Sequence, residues 1–91
     1  MLYTLSHAHY DQETLRLFLT ELSNNDAVVL WQDGVLQAVK NPQFFANLPR
    51  CYVLEQDVVA RGLEKQLVSF KRVSLAELVK LTEAYFPQVA L

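Results

Sequence analysis

Short apolar blocks alternate with stretches of helical periodicity along the chain. Met1 to Ser6 is a mostly apolar segment, and beyond it Asp11 offers a capping carboxylate to a helix in which Leu15, Phe18, Leu19 and Leu22 recur at i, i+3, i+4 and i+7. That helix is expected to stop near Asn24-Asn25. Ala27 to Trp31 is too short for an ordinary helix and contains Val28 and Val29, so it reads as a buried strand. Gln32-Asp33-Gly34 reads as a turn. Val35, Leu36 and Val39 then suggest a turn or two of helix before Asn41-Pro42 interrupts, and Phe44, Phe45 and Leu48 resume an apolar face up to Pro49. Cys51 to Leu54 repeats the strand pattern, with Asp57 as candidate cap of a brief helix through Val58, Val59 and Ala60, and Gly62 as its terminator. A weaker, alternating strand is expected over about Leu67 to Lys71. Ser74 and Glu77 then spell a capping box for a last helix, whose core-facing residues would be Leu75, Leu78, Val79 and Tyr85 and which Pro87 ends.

Strand and helix thus alternate four times over a single domain, residues 1–91, which predicts an α/β fold with right-handed crossovers. The expected form is a small flavodoxin-like three-layer sandwich with a mostly parallel sheet of about four strands, the first and third adjacent at its centre. A domain of this size buries only about 60 to 65% of its unfolded surface. Its apolar excess, including the tail Val89-Ala90-Leu91, therefore points to a partner.

Composition narrows the function. With 52% hydrophobic residues, eight Lys and Arg against ten Asp and Glu, and a net charge of -2, the chain is neither disordered nor a broad phosphate-binding surface. One cysteine closes no internal disulfide and builds no zinc cluster alone, which suits a reducing compartment. No apolar run approaches the roughly 18 residues of a membrane span, and Met1 to Gln12 lacks the basic residues of a secretory signal. The expected location is cytoplasmic, away from the membrane.

In an open parallel sheet, ligands gather beyond the carboxyl ends of the strands. The loops there would supply Ser6, His7, His9 and Tyr10 on one side and Glu55, Gln56 and Asp57 on the other, a set capable of acid-base work or metal binding. Their simpler reading is as solvated loop side chains. Cys51 is the one intrinsically nucleophilic side chain, and Arg50 beside it would favour a thiolate, but its place at the entry of a strand suits a small buried hydrophobe better. Asp33-Gly34 lacks the paired carboxylates of a phosphoryl acceptor, and Gly34 and Gly62 stand alone rather than forming a phosphate loop. Arg61, Lys65, Lys71, Arg72 and Lys80 make the second half more basic, most simply as a solvated face, while Trp31, Phe44 and Phe45 suit an apolar core better than a base-stacking platform.

Three pieces carry a family resemblance: the opening Met1 to Ser6, the block Ala27 to Val35, and Tyr52-Val53-Leu54 followed by Asp57 and Ala60-Arg61-Gly62-Leu63. Together they resemble the TusB/DsrH family along nearly the whole chain, the most specific being the strand ending in Gln-Asp-Gly-Val and the later Asp-x-x-Ala-Arg-Gly-Leu. The resemblance implies a DsrE/DsrF-like subunit of the TusBCD sulfurtransferase complex, a dimer of heterotrimers. That complex takes persulfide sulfur from TusA and passes it through TusE toward the enzyme that thiolates the tRNA wobble uridine. The implied partners are TusC-like and TusD-like homologous subunits, with the sulfur-bearing cysteine on the latter, and with no cofactor, no metal and no direct tRNA binding by this chain. DsrH relatives can carry a cysteine in the first helix, whereas Leu15 to Leu22 contains none and Cys51 lies elsewhere. The expectation is a non-catalytic structural subunit without catalytic residues of its own. The alternatives are a sulfurtransferase with Cys51 as persulfide acceptor, and a homo-oligomeric ligand-binding domain that uses the His7 and His9 loop.

Overall fold

Every strand runs parallel to its neighbours. In the computed structural model, which describes residues 1–91, β1 (Leu2–Leu5), β2 (Ala27–Leu30), β3 (Cys51–Leu54), β4 (Lys71–Val73) and β5 (Gln88–Ala90) form one sheet in the order β4-β3-β2-β1-β5. The helices are α1 (Gln12–Glu21), α2 (Val35–Lys40), α3 (Pro42–Phe45), α4 (Glu55–Ala60) and α5 (Leu75–Ala84), with a short 3-10 turn over Gln32–Gly34 leading into α2.

The α/β class and the parallel sheet are as expected, but the strand order is not. β2 lies between β1 and β3, and the sheet has five strands rather than four. The reason is the placement of the helices. Leu15 of α1, Val35 and Ala38 of α2, Phe45 of α3 and Val58 of α4 all join one core cluster with Leu5, Val28, Leu30, Cys51 and Val53. Right-handed crossovers made on one face all step in the same direction, so β1, β2, β3 and β4 follow in sequence. Only α5 lies on the other face, where Leu78 packs over Leu2, Ala27, Val29, Leu54 and Val73. Its crossover therefore steps the opposite way and delivers β5 to the free side of β1. A flavodoxin-like order would have required α1 on the face that α5 occupies.

The tail expected as loose apolar excess is this fifth strand, in register Leu2↔Gln88 and Thr4↔Ala90, extended by the Leu91 N–H donating to the Thr4 carbonyl at 2.8 Å. β4 begins at Lys71, later than expected. Leu67 and Phe70 instead plug the larger core cluster from an irregular segment, their i, i+3 spacing suiting a turn rather than a pleated ladder. Ser74 and Glu77 form the expected capping box, and Asp11 caps α1 through the Thr14 N–H. On α5, Leu78 is buried, whereas Leu75 and Val79, expected in the core, are 53% and 52% exposed.

The close approach of Gly34 to the end of β1 joins the first two strand ends. A Cβ at this position would lie 1.8 Å from the Leu5 carbonyl oxygen, the same oxygen that accepts the Trp31 N–H at 3.1 Å. Gly62, by contrast, ends α4 in the left-handed region at φ 63° with open space around it. Gly34→Ala is expected to cost about 3 kcal/mol and to lower the melting temperature by roughly 10 °C or more. A shift below about 2 °C in thermal unfolding would show that the β1 terminus yields freely.

Candidate functional site

With this strand order the topological switch point lies between β1 and β5, and the chain itself fills it. The Tyr10 hydroxyl accepts the N–H groups of Ser6 and His7 at 3.0 and 3.1 Å and donates to the Leu91 carbonyl at 2.9 Å. The loop is also pinned from beneath, where the buried Gln37 side chain donates to the Ala8 carbonyl. His7 and His9 project into solvent. Glu55, Gln56 and Asp57 follow β3, which β2 separates from β1, so the two sets of loop residues proposed from the sequence are not brought together. No three His, Cys, Asp or Glu side chains converge in a way that could hold a metal ion.

Asp57 does not cap α4, which starts two residues earlier at Glu55. It reaches to the adjacent strand end instead, where its Oδ2 accepts the Gln32 N–H at 2.6 Å. Gln32 sits at φ 52°, an unfavourable backbone for a side-chain-bearing residue, and this charge-assisted bond helps to hold it there. Arg61 bridges the two acids, with Nη2 at 2.8 Å from Asp33 Oδ1 and Nη1 at 3.5 Å from Asp57 Oδ1. The two most specific sequence motifs therefore interlock into one polar network across the ends of β2 and β3. The i, i+4 spacing of Asp57 and Arg61 was the only local sign of it. Its chemistry is positional, since each carboxylate is already engaged.

Cys51 is 8% exposed within the larger core cluster, at the amino end of β3 and thus at the opposite end of the sheet from the Tyr10 plug. Burial pushes its thiol up to about 12. Arg50 does not turn toward it, because its guanidinium donates to the Asn24 carbonyl. The cavity at this end, about 90 Å³, lies between the end of α1 and the Leu48-Pro49-Arg50 segment. Asp26, also on its wall, is held below the usual carboxylate range, chiefly by the Ser23 N–H.

The aromatic platform does not form: Phe45 is fully buried beneath α-helices on one side of the sheet and Trp31 packs on the other. The basic residues also divide. Arg61 and Arg72 are committed to carboxylates, Arg72 Nη1 lying 3.6 Å from Glu55 Oε2. Lys71 and Lys80, not marked by any motif, line an open groove beside α5. Leu75, Val79 and the 73%-exposed Phe86 leave apolar surface on or just beyond the same helix.

Residues 7–88 match the family described as DsrH like protein. An uncharacterized protein of Haemophilus influenzae is 44% identical over the full length of both chains. Proteins named Protein TusB from Salmonella arizonae and Yersinia enterocolitica are 38% and 35% identical, covering 99% of both chains in each case. The solution structure of protein Tm0979 from Thermotoga maritima shares the fold, with a TM-score of 0.61 at 23% identity over 91% of this chain and 92% of that one.

Two measurements check this geometry. Asp57→Ala removes the Gln32 bond and one arm of Arg61, and should cost about 2 kcal/mol in denaturant unfolding; a loss below about 0.5 kcal/mol would mean the network is dispensable. The unfolded thiol ionises near 9.0 and the folded one near 12, so between these values the unfolded state releases a proton that the folded state keeps. The stability linked to Cys51 is thus complete below about pH 9 and should fall by about 1.4 kcal/mol per pH unit above it, relative to Cys51→Ala. Parallel pH profiles for the two proteins would contradict the buried thiol.

Proposed function

The chain belongs to the TusB/DsrH family of sulfur-relay proteins, and on that premise we propose that it is a non-catalytic structural subunit of a TusBCD-type sulfurtransferase complex. It holds TusC-like and TusD-like subunits in a dimer of heterotrimers, in the cytoplasm. The assembled complex takes persulfide sulfur from TusA and hands it to TusE for thiolation of the tRNA wobble uridine. This subunit binds no tRNA, metal or cofactor itself. No helix is long and apolar enough to cross a membrane.

The observation that carries this reading is the burial of the only thiol. A persulfide acceptor must reach a donor cysteine and ionise near neutral pH. With its thiol near 12, Cys51 would be ionised in only about one molecule in 10⁵ at pH 7. The polar groups at the carboxyl end of the sheet are engaged by Tyr10 and Arg61. What the chain offers instead is surface on the side of α5, where Leu75, Val79 and Phe86 stand exposed.

The test is to pass labelled sulfur through the reconstituted complex and map it by non-reducing peptide mass spectrometry. Label is expected on the TusD-like cysteine and absent from Cys51, and a complex built with Cys51→Ser should transfer sulfur at the wild-type rate. Stoichiometric label on Cys51, with transfer abolished in a folded Cys51→Ser protein, would establish the chain as a carrier.

A further inference from the structure

We propose that the groove between α5 and the neighbouring strands β3 and β4 receives a carboxylate side chain from an acidic segment of a partner subunit. This rests on the reading that the chain works within a hetero-oligomer. The groove encloses about 250 Å³ and is walled by Tyr52, Lys71, Val73, Glu77, Lys80 and Leu81. Its floor is apolar, since Val73 is buried and Tyr52 and Leu81 are partly buried parts of the α5-side core. Its rim carries two ammonium groups against one carboxylate.

That carboxylate is already engaged. Glu77 accepts the Ser74 N–H at 2.8 Å to complete the capping box. It is held below the usual carboxylate range by Ser74 first, with further contributions from the fields of Lys71 and Lys80. Neither lysine has an ion pair of its own, because every pair in the molecule uses an arginine or the terminal amine. The Lys71 ammonium stands 5.6 Å from the centre of the Tyr52 ring. A lysine on an edge strand also discourages stray strand pairing. That role explains Lys71 alone, whereas Lys80 projects into the same groove from a helix.

The groove is therefore locally cationic in a chain whose net charge is -2, and its complement is an anion. A small anion would remain largely uncovered in so open a groove, whereas small-ligand pockets enclose most of their occupant. A nucleic acid would need a wider basic field. A partner's Asp or Glu set beside apolar residues meets both requirements, pairing with the lysines while the partner's surface excludes water.

The test compares complexes made by co-expressing the full-length chain, as wild type, K71E/K80E or the control K65E, with its homologous partners. Melting curves of the variants verify folding. The double reversal is expected to weaken assembly roughly 10-fold or more, K65E to leave it unchanged, and wild-type assembly to weaken as salt rises. Carbodiimide cross-linking should join Lys71 or Lys80 to a partner Asp or Glu. Wild-type assembly with an unaffected K71E/K80E variant would overturn this inference while leaving the subunit reading intact; a wild-type chain that gathers no partner would overturn both. Cross-links only to a second copy of this chain would also overturn it. So would protection of both lysines from acetylation by inorganic phosphate alone.

Discussion

A parallel sheet has to be covered on both faces, and this chain distributes its cover unequally. Four of its helices lie on one face and α5 alone lies on the other. Five strands about 4.8 Å apart span about 19 Å between the outer axes, and a helix is about 10 Å across, so one helix cannot roof that face. Much of the molecule follows from this imbalance. Crossovers on the crowded face all step one way, which lays β1 to β4 in sequence, and α5 has to return across the sheet to place β5 beside β1. Its path leaves the lysine-rimmed groove beside β3 and β4, and leaves Leu75 and Val79 exposed.

The carboxyl end of the sheet, where open α/β domains commonly bind ligands, is closed by the chain's own groups. Tyr10 occupies the backbone N–H groups of Ser6 and His7, and Asp57 and Arg61 brace the turn after β2. Gly34 brings that turn against the Leu5 carbonyl, so the ends of β1 and β2 are held together without space for a small ligand between them. The nucleophile is sealed at the other end, in the core beneath the helices. Under the proposed function such a domain contributes by shape and surface, with the sulfur chemistry of the relay assigned to a neighbouring subunit.

Local signals in the sequence carried the elements well where the local rule also decided the outcome. Asp11, the Ser74-Glu77 box and Gly62 act at helix ends as their chemistry dictates, and the apolar run Ala27–Leu30 is a fully buried strand. Legibility failed where distant parts of the chain decide. Val89-Ala90-Leu91 looks like spare apolar surface until β1 has an open side for it to pair with. Leu75 and Val79 share a helical period with Leu78, but a lone helix on a flat sheet presents only a narrow stripe inward. Asp57 has the composition of a cap and serves the turn at Gln32 instead, because β2 and β3 end side by side. The same neighbour relation kept the His7 and His9 loop apart from Glu55 and Asp57. Burial of Cys51 was legible from its place at the start of a strand, whereas the Lys71 and Lys80 groove depends on the direction in which α5 crosses.

The central claim, that the chain acts as surface within a larger assembly, is met most directly by the native mass of the particle isolated from its own cell under mild conditions. The account predicts a dimer of heterotrimers in which this 10.5 kDa chain is accompanied in equal number by two homologous small subunits. A monomer or a homo-oligomer of this chain alone would contradict it.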